Sequence, residues 1–206
     1  MIDRVRLAAT AGAILVGFGT GVVSAQEPQP QETASAIFAG GCFWCVESDF
    51  DKVDGVLSTV SGYTGGTTEN PTYKSVTYGT SGHYEAVEVT YDPQKVDYRT
   101  LTDYFLRHID PTDDGGQFCD RGDSYRPALF VTEAQRADAE AALAEADALI
   151  EAELKTPILP AAPFYEAEHY HQDYYQKNPL RYRYYRFACG RDERVDEVWG
   201  AAKAAG

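Results

Sequence analysis

The chain has 206 residues, with 32 acidic against 18 basic side chains and a formal net charge of −14. That balance argues against nucleic acid or an anionic membrane surface as a partner. The length suffices for one domain with a real core, and no repeat, low-complexity block or later linker argues for a second.

The N-terminus reads as an export signal. Arg4 and Arg6 form a short basic region, and Leu7 to Val23 is apolar and small, interrupted by Gly12, Gly17, Gly19 and Gly21. Val23-Ser24-Ala25 resembles a signal-peptidase site. Residues 1–25 are therefore expected to be a cleaved signal peptide, and 26–35, rich in Gln, Glu and Pro, a solvated spacer. Residues 36–206 are left as the folded domain of a periplasmic or secreted protein without a stable membrane partner.

Ile37, Phe38 and Ala39 read as the end of a buried strand. Gly40-Gly41 allows a sharp turn, and Cys42-Phe43-Trp44-Cys45 then opens a helix. Unpaired N–H groups and the helix dipole at that position are expected to lower the Cys42 pKa and to make it a nucleophile. Phe43 and Trp44 add apolar surface that pure redox exchange would not need. A zinc half-site is the competing reading, but Cys119 and Cys189 stand alone, without a second Cys-x-x-Cys or spaced histidines. No metal and no cofactor is expected.

Val56 to Tyr63 reads as a strand running into the turn Tyr63-Thr64-Gly65-Gly66, and Asn70-Pro71 starts a short helical segment carrying Tyr73. Ala86, Val87, Val89 and Tyr91 lie in a strand that ends at Asp92-Pro93. Asp97 is placed to cap a helix through Tyr98, Leu101, Tyr104, Phe105 and Ile109. Ala128 to Val131 reads as another strand. Thr132-Glu133-Ala134-Gln135 is a capping-box pattern opening an acidic, Ala-rich helix to about Leu149, whose charges a solvated face explains. Tyr170 to Lys177 reads as the last helix, broken by Asn178-Pro179 and followed by an aromatic, arginine-rich tail that packs on the domain. Strands and helices mixed in this order predict an α+β sandwich of two layers around a central mixed sheet.

Several separated motifs now fall in one series: Gly41-Cys42-Phe43-Trp44, Gly62-Tyr63-Thr64-Gly65-Gly66, Asn70-Pro71-Thr72-Tyr73 and Gly82-His83-Tyr84-Glu85-Ala86-Val87. Asp110-Pro111-Thr112, Asp120 with Tyr125-Arg126, His171-Gln172-Asp173-Tyr174 and Lys177-Asn178-Pro179 complete it. In these residues, from about Ala36 to Gly200, the chain resembles the A-type peptide methionine sulfoxide reductases. The resemblance implies a ferredoxin-like plait and a monomeric enzyme. The implied reaction is reduction of methionine-S-sulfoxide, in proteins or free, with a thioredoxin-like dithiol as electron donor.

It also implies roles. Cys42 would attack the sulfoxide sulfur and become a sulfenic acid. Phe43 and Trp44 would hold the substrate methyl group, and Glu85 would protonate the sulfoxide oxygen. Tyr73 and Tyr125 would hydrogen-bond that oxygen, with Asp120 holding the network. Without the resemblance, Glu85 reads as the solvent-facing half of an alternating strand rather than as an acid. The four histidines read as structural groups.

The chain departs from the family pattern at Cys45, at the stretch Phe118 to Ser124, and by having no cysteine just after Asn178-Pro179. The resolving cysteine therefore has two candidates. Cys45 lies at i+3, its Cα about 5 Å from that of Cys42 on an ideal helix. Cys189 is the alternative, or a second relay, while Cys119 is expected to be an unreactive wall thiol. A general thiol–disulfide oxidoreductase using Cys42 and Cys45 remains the competing function, and a non-enzymatic sulfoxide- or peptide-binding module a third.

Overall fold

The computed structural model describes residues 32–203, and side chains through residue 200. The expected signal peptide and most of the expected spacer lie outside the described residues. Among the described residues eight strands occur in chain order: β1 (Ala34–Gly40), β2 (Val56–Thr64), β3 (Tyr84–Tyr91), β4 (Gly116–Gln117), β5 (Asp120–Arg121), β6 (Pro127–Val131), β7 (Ile158–Pro160) and β8 (Tyr165–Glu166). The helices are α1 (Phe43–Phe50), α2 (Tyr73–Thr77), α3 (Tyr98–Leu106), α4 (Arg136–Leu149), α5 (Tyr174–Lys177), α6 (Pro179–Ala188) and α7 (Arg191–Lys203).

Six strands form one mixed sheet in the order β7-β6-β1-β3-β2-β8, with β6 and β7 parallel and the other pairs antiparallel. The α+β reading with a central mixed sheet is thus met. β1 starts at Ala34, which pairs with Tyr91, so the expected spacer gives way to sheet two residues early. Among the described residues, no helix is long and apolar enough to cross a membrane.

The period of two along the central strands decides the layering. Ala36 and Phe38 of β1, Val87, Val89 and Tyr91 of β3, and Leu129 and Val131 of β6 join one large core cluster. Their alternates Ala39, Tyr84, Ala86, Ala128 and Phe130 form a smaller cluster on the other face. The large cluster takes Phe43, Val46 and Phe50 from α1, Leu101 and Phe105 from α3, and Ala139, Ala142 and Ala146 from α4. Those spacings of three and four are one helical face each. Phe38 anchors the layer, stacked on Phe50 at 4.8 Å and against Phe105 at 5.0 Å.

Local signals act largely as expected. Asp97 caps α3, its Oδ1 accepting from Thr100 N–H at 2.7 Å. The capping box before α4 is only half made. Gln135 Oε1 accepts from Thr132 N–H at 3.0 Å and from Thr132 Oγ1 at 3.1 Å, but Gln135 N–H bonds the Thr132 carbonyl rather than its side chain, and α4 starts at Arg136. The C-terminal expectation needs correcting. Tyr170 to Asp173 is turn, α5 spans four residues, and two further helices follow Asn178-Pro179. Pro179 starts α6 rather than ending a helix, because the first helical N–H has no partner to lose. The stretch read as a packed tail is therefore α6 and α7, which buries Val195 and Trp199 in the main core.

Candidate active site

β1 delivers its end to the site through Gly40 and Gly41. Gly41 has φ +81°, and a Cβ there would sit 2.5 Å from Gln117 Cβ, so neither the backbone nor the space admits a side chain. Gln117 is fully buried and grips the Asp110 segment, its Oε1 accepting from Asp110 N–H at 2.9 Å and its Nε2 donating to Asp110 O at 2.7 Å. The short β4–β5 hairpin is thereby wedged against the turn before Cys42.

Cys42 is the N-cap of α1, and its carbonyl accepts from Cys45 N–H at 3.1 Å. Both cysteines are free thiols and both are buried, Cys42 at 7% exposure and Cys45 at 2%. Burial reverses the expectation for Cys42. Desolvation, reinforced by Cys45 and by the nearby carboxyls of Glu85 and Asp120, pushes its pKa well above the ordinary thiol value. The helix N-terminus does not outweigh that. Cys45 is the low-pKa thiol instead, brought down to about 7 by a hydrogen bond with Cys42 and, against burial, by Arg191 and Arg186.

Glu85 lies on the same face of β3 as Val87 and Val89 and is 1% exposed, so the solvent-facing reading is overturned. Its Oε2 accepts from Phe43 N–H at 3.1 Å. Burial raises its pKa to about 8 despite that bond, leaving it a protonated carboxylic acid at neutral pH. The Tyr125 hydroxyl faces both the Glu85 carboxyl and the Tyr73 hydroxyl. Burial raises Tyr73 to about 12 and moves Tyr125 up further, so both stay hydrogen-bond donors. Asp120, on β5, accepts a short hydrogen bond from the Tyr185 hydroxyl of α6. Burial raises the Asp120 pKa, with Tyr185 and Arg191 opposing.

The aromatic wall is built from both ends of the chain. Trp44 stacks on Tyr174 at 3.7 Å between centroids and meets the edge of Tyr185. Trp44 Nε1 donates to His171 Nδ1 at 3.1 Å, which fixes the indole plane. His171 also packs on Phe43 at 5.0 Å and on Tyr73 at 4.4 Å, and burial lowers its pKa, so it is a neutral acceptor. The structure thus gathers Cys42, Cys45, Glu85, Tyr73, Tyr125, Asp120, Phe43 and Trp44 at one place.

Cys189 does not stand free to join them. It is bonded to Cys119, with Cα atoms 4.9 Å apart, so Cys119 is no inert thiol either. The sulfurs of that pair and an Asp120 oxygen lie within 4.8 Å of one another. With the sulfurs joined and Asp120 held by Tyr185, the cluster is a covalent and hydrogen-bonded unit. Two carboxylates were missed altogether. Glu168 takes Tyr73 N–H at 2.9 Å and the Tyr63 hydroxyl at 2.8 Å, tethering the tyrosine segment. Glu47, fully buried on α1, accepts from Asp173 N–H at 3.2 Å. No motif marks either, because their partners, the Tyr73 and Asp173 N–H groups and the Tyr63 hydroxyl, lie far away in sequence.

The model of the peptide methionine sulfoxide reductase family matches residues 34–203. The chain belongs to that family. It is 59% identical to the peptide methionine sulfoxide reductase MsrA 2 of Caulobacter vibrioides, over 82% of this chain and 87% of that one. The solved structure of Mxr1 from Saccharomyces cerevisiae in reduced form is 32% identical, with a TM-score of 0.69, over 74% of this chain and 90% of that one. Mxr1 in complex with Trx2 also matches, at 25% identity and a TM-score of 0.51, over 73% and 91% of the two chains. Every site residue of this family member named above lies within the matched span.

Proposed function

We infer that this protein reduces methionine-S-sulfoxide, protein-bound or free, to methionine. The observation that carries the reading is a buried carboxylic acid, Glu85, bonded to the helix that starts at the buried nucleophile Cys42. Glu85 gives its proton to the sulfoxide oxygen while Cys42 sulfur attacks the sulfoxide sulfur, its own proton passing to Cys45, which enters as the thiolate. The hydroxyl oxygen then bonds to Cys42 sulfur as the substrate's sulfur–oxygen bond and its new bond to Cys42 sulfur break, so methionine leaves and Cys42 is a sulfenic acid. Tyr73 and Tyr125 donate to the oxygen as its charge builds, and Asp120 steadies that network. Phe43 and Trp44 take the substrate methyl group.

Cys45 resolves the sulfenic acid. Its sulfur bonds to Cys42, its proton leaves with the hydroxyl, and water departs. A dithiol reductant supplies two electrons and two protons, restoring the cysteines and re-protonating Glu85. The Mxr1–Trx2 complex supports a thioredoxin-like donor. The general disulfide-exchange alternative is disfavoured by the buried acid Glu85 and by the aromatic Phe43 and Trp44 beside Cys42, which exchange alone would not use. The plait reading is supported by the chain order β1-α1-β2-β3-α3-β6 with β6-β1-β3-β2 adjacent. Arg4, Arg6, the apolar run to Val23 and Val23-Ser24-Ala25 support export to the periplasm after cleavage near Ala25.

Turnover of separated sulfoxide epimers with dithiothreitol tests the activity. Reduction of the S form alone is expected, and no S activity or equal R activity refutes it. Intact mass of protein from the native host tests export, a full-length cytosolic product being the contrary result.

A further inference from the structure

The α6–α7 elbow meets the β4–β5 hairpin at three successive points. The Arg191 guanidinium lies over the Phe118 ring at 4.6 Å, Cys189 is bonded to Cys119, and Tyr185 donates to Asp120. Beyond the hairpin, Arg191 reaches the nucleophile turn itself. It is 2% exposed, donates to Gly40 O at 3.3 Å and His108 O at 3.0 Å, and lies 3.8 Å from Asp49. We propose that the Cys119–Cys189 disulfide is a latch that seats Tyr185 and Arg191, as positioning residues, against Asp120 and the Gly40–Cys42 turn. Its reduction slows formation of the Cys42–Cys45 bond. The proposal rests on the reductase reading above.

The position of the disulfide argues for more than a staple. Cys119 is exposed while Cys42 and Cys45 are buried, so a dithiol reaches the latch before the active pair. Such a donor gives two electrons and two protons, leaving Cys119 and Cys189 as thiols and itself as a disulfide. The outer face of α6 is free, with Leu180, Tyr184 and Phe187 74%, 73% and 83% exposed, while Tyr182 and the Arg186–Asp49 pair hold its inner face and the disulfide and Tyr185 tie it to the hairpin. Unlatching therefore leaves Tyr185 on Asp120 and Arg191 on Phe118 to hold the hairpin side of the elbow, and Arg191 loses covalent support beside its buried seat.

Arg191 matters to Cys45 through charge. Cys45 faces Cys42 and Asp49 from α1 and its N-terminus, Glu85 from β3, Tyr182, Tyr185 and Arg186 from α6, and Arg191 from α7. The two arginines are the positive groups in that shell, and both favour the thiolate that attacks the sulfenic acid.

The test mixes full-length protein with one equivalent of methionine-S-sulfoxide and follows Cys42–Cys45 formation against pH. Wild type is compared with C119S/C189S, R191A and R191K. In C119S/C189S the rate at neutral pH is expected to fall about tenfold, with the profile moved up by about one unit. R191A with its disulfide intact should reproduce the change, R191K should restore most of it, and combining R191A with C119S/C189S should add little. The two Arg191 variants carry the test should the double serine variant not fold. A wild-type rate and pH profile in C119S/C189S, or in R191A, overturns the latch. So do mixed disulfides between Cys42 or Cys45 and Cys119 or Cys189 during turnover, which make the pair a relay. Iodoacetamide labelling of Cys45 against pH reads the same shift without substrate, so a chain inactive on sulfoxide would refute the reductase reading separately.

Discussion

The Phe43 N–H donates to Glu85 Oε2 across 3.1 Å, linking residues 42 apart through a side chain that is 1% exposed. The bond runs from the first residue of α1, immediately after Cys42, to a carboxyl on the central strand β3. It ties the carboxyl proposed as the acid to backbone next to the proposed nucleophile, which is the rigidity a proton-transfer geometry needs.

Glu85→Gln keeps the shape and the acceptor for Phe43 N–H but removes the transferable proton. Sulfenic acid formation is expected to slow by roughly 10²–10⁴-fold, with much less change in substrate affinity. In wild type the same step should fade as pH rises through about 8, where Glu85 ionises. Single-turnover quench kinetics measure both, and an unchanged rate in the variant would move the role to another group.

The same substitution should stabilise the fold. Glu85 is protonated in the folded state up to about pH 8 but ionises near 4.5 when unfolded. Between those values the unfolded chain binds fewer protons, so wild-type stability falls as pH rises through the window. Glu85→Gln escapes this and is expected to gain on the order of 2–3 kcal/mol at pH 7, with little gain at pH 4. Urea unfolding at both pH values checks it. An equal gain at both would mean that packing, not ionisation, sets the difference.

The parts of the site that local chemistry controls were legible in the sequence. Gly40-Gly41, the helix opened by the cysteine pair, the strand ending at Tyr91 and the Asp97 cap each act within a few residues, and each forms as read, whereas the burial of Glu85 depends on what covers both faces of β3. The Cys42 pKa was not legible, because it depends on burial under segments distant in the chain. The Cys119–Cys189 pairing spans 70 residues, and nothing local announces it. α6 and α7 were hidden by Asn178-Pro179, a pair that stops one helix and starts the next. Glu168 and Glu47 escaped notice because acidic residues read as solvated until their N–H donors are known.

Gly41→Ala should be severely disruptive. Its φ of +81° strains any Cβ, and that Cβ would lie 2.5 Å from Gln117 Cβ, whose side chain is itself locked by Asp110. A loss of about 2–4 kcal/mol is expected, together with reduced turnover as the hairpin carrying Asp120 is pushed off the turn. Thermal unfolding and initial rates test this, and a near-neutral variant would mean that the hairpin yields freely.

The last prediction separates the two candidate resolving cysteines. Cys45→Ser should release about one equivalent of methionine per chain and then stop, leaving a Cys42 sulfenic acid that dimedone traps. No other free thiol is buried beside Cys42 among the described residues, and Cys189 is already committed to Cys119. Cys189→Ser should still form the Cys42–Cys45 bond, only more slowly, because it frees the elbow without removing the attacking sulfur. Peptide mapping after one equivalent of substrate distinguishes the outcomes. A Cys42–Cys189 bond formed in Cys45→Ser at the wild-type rate would show that the elbow disulfide opens within the cycle and that Cys45 is not the first resolver.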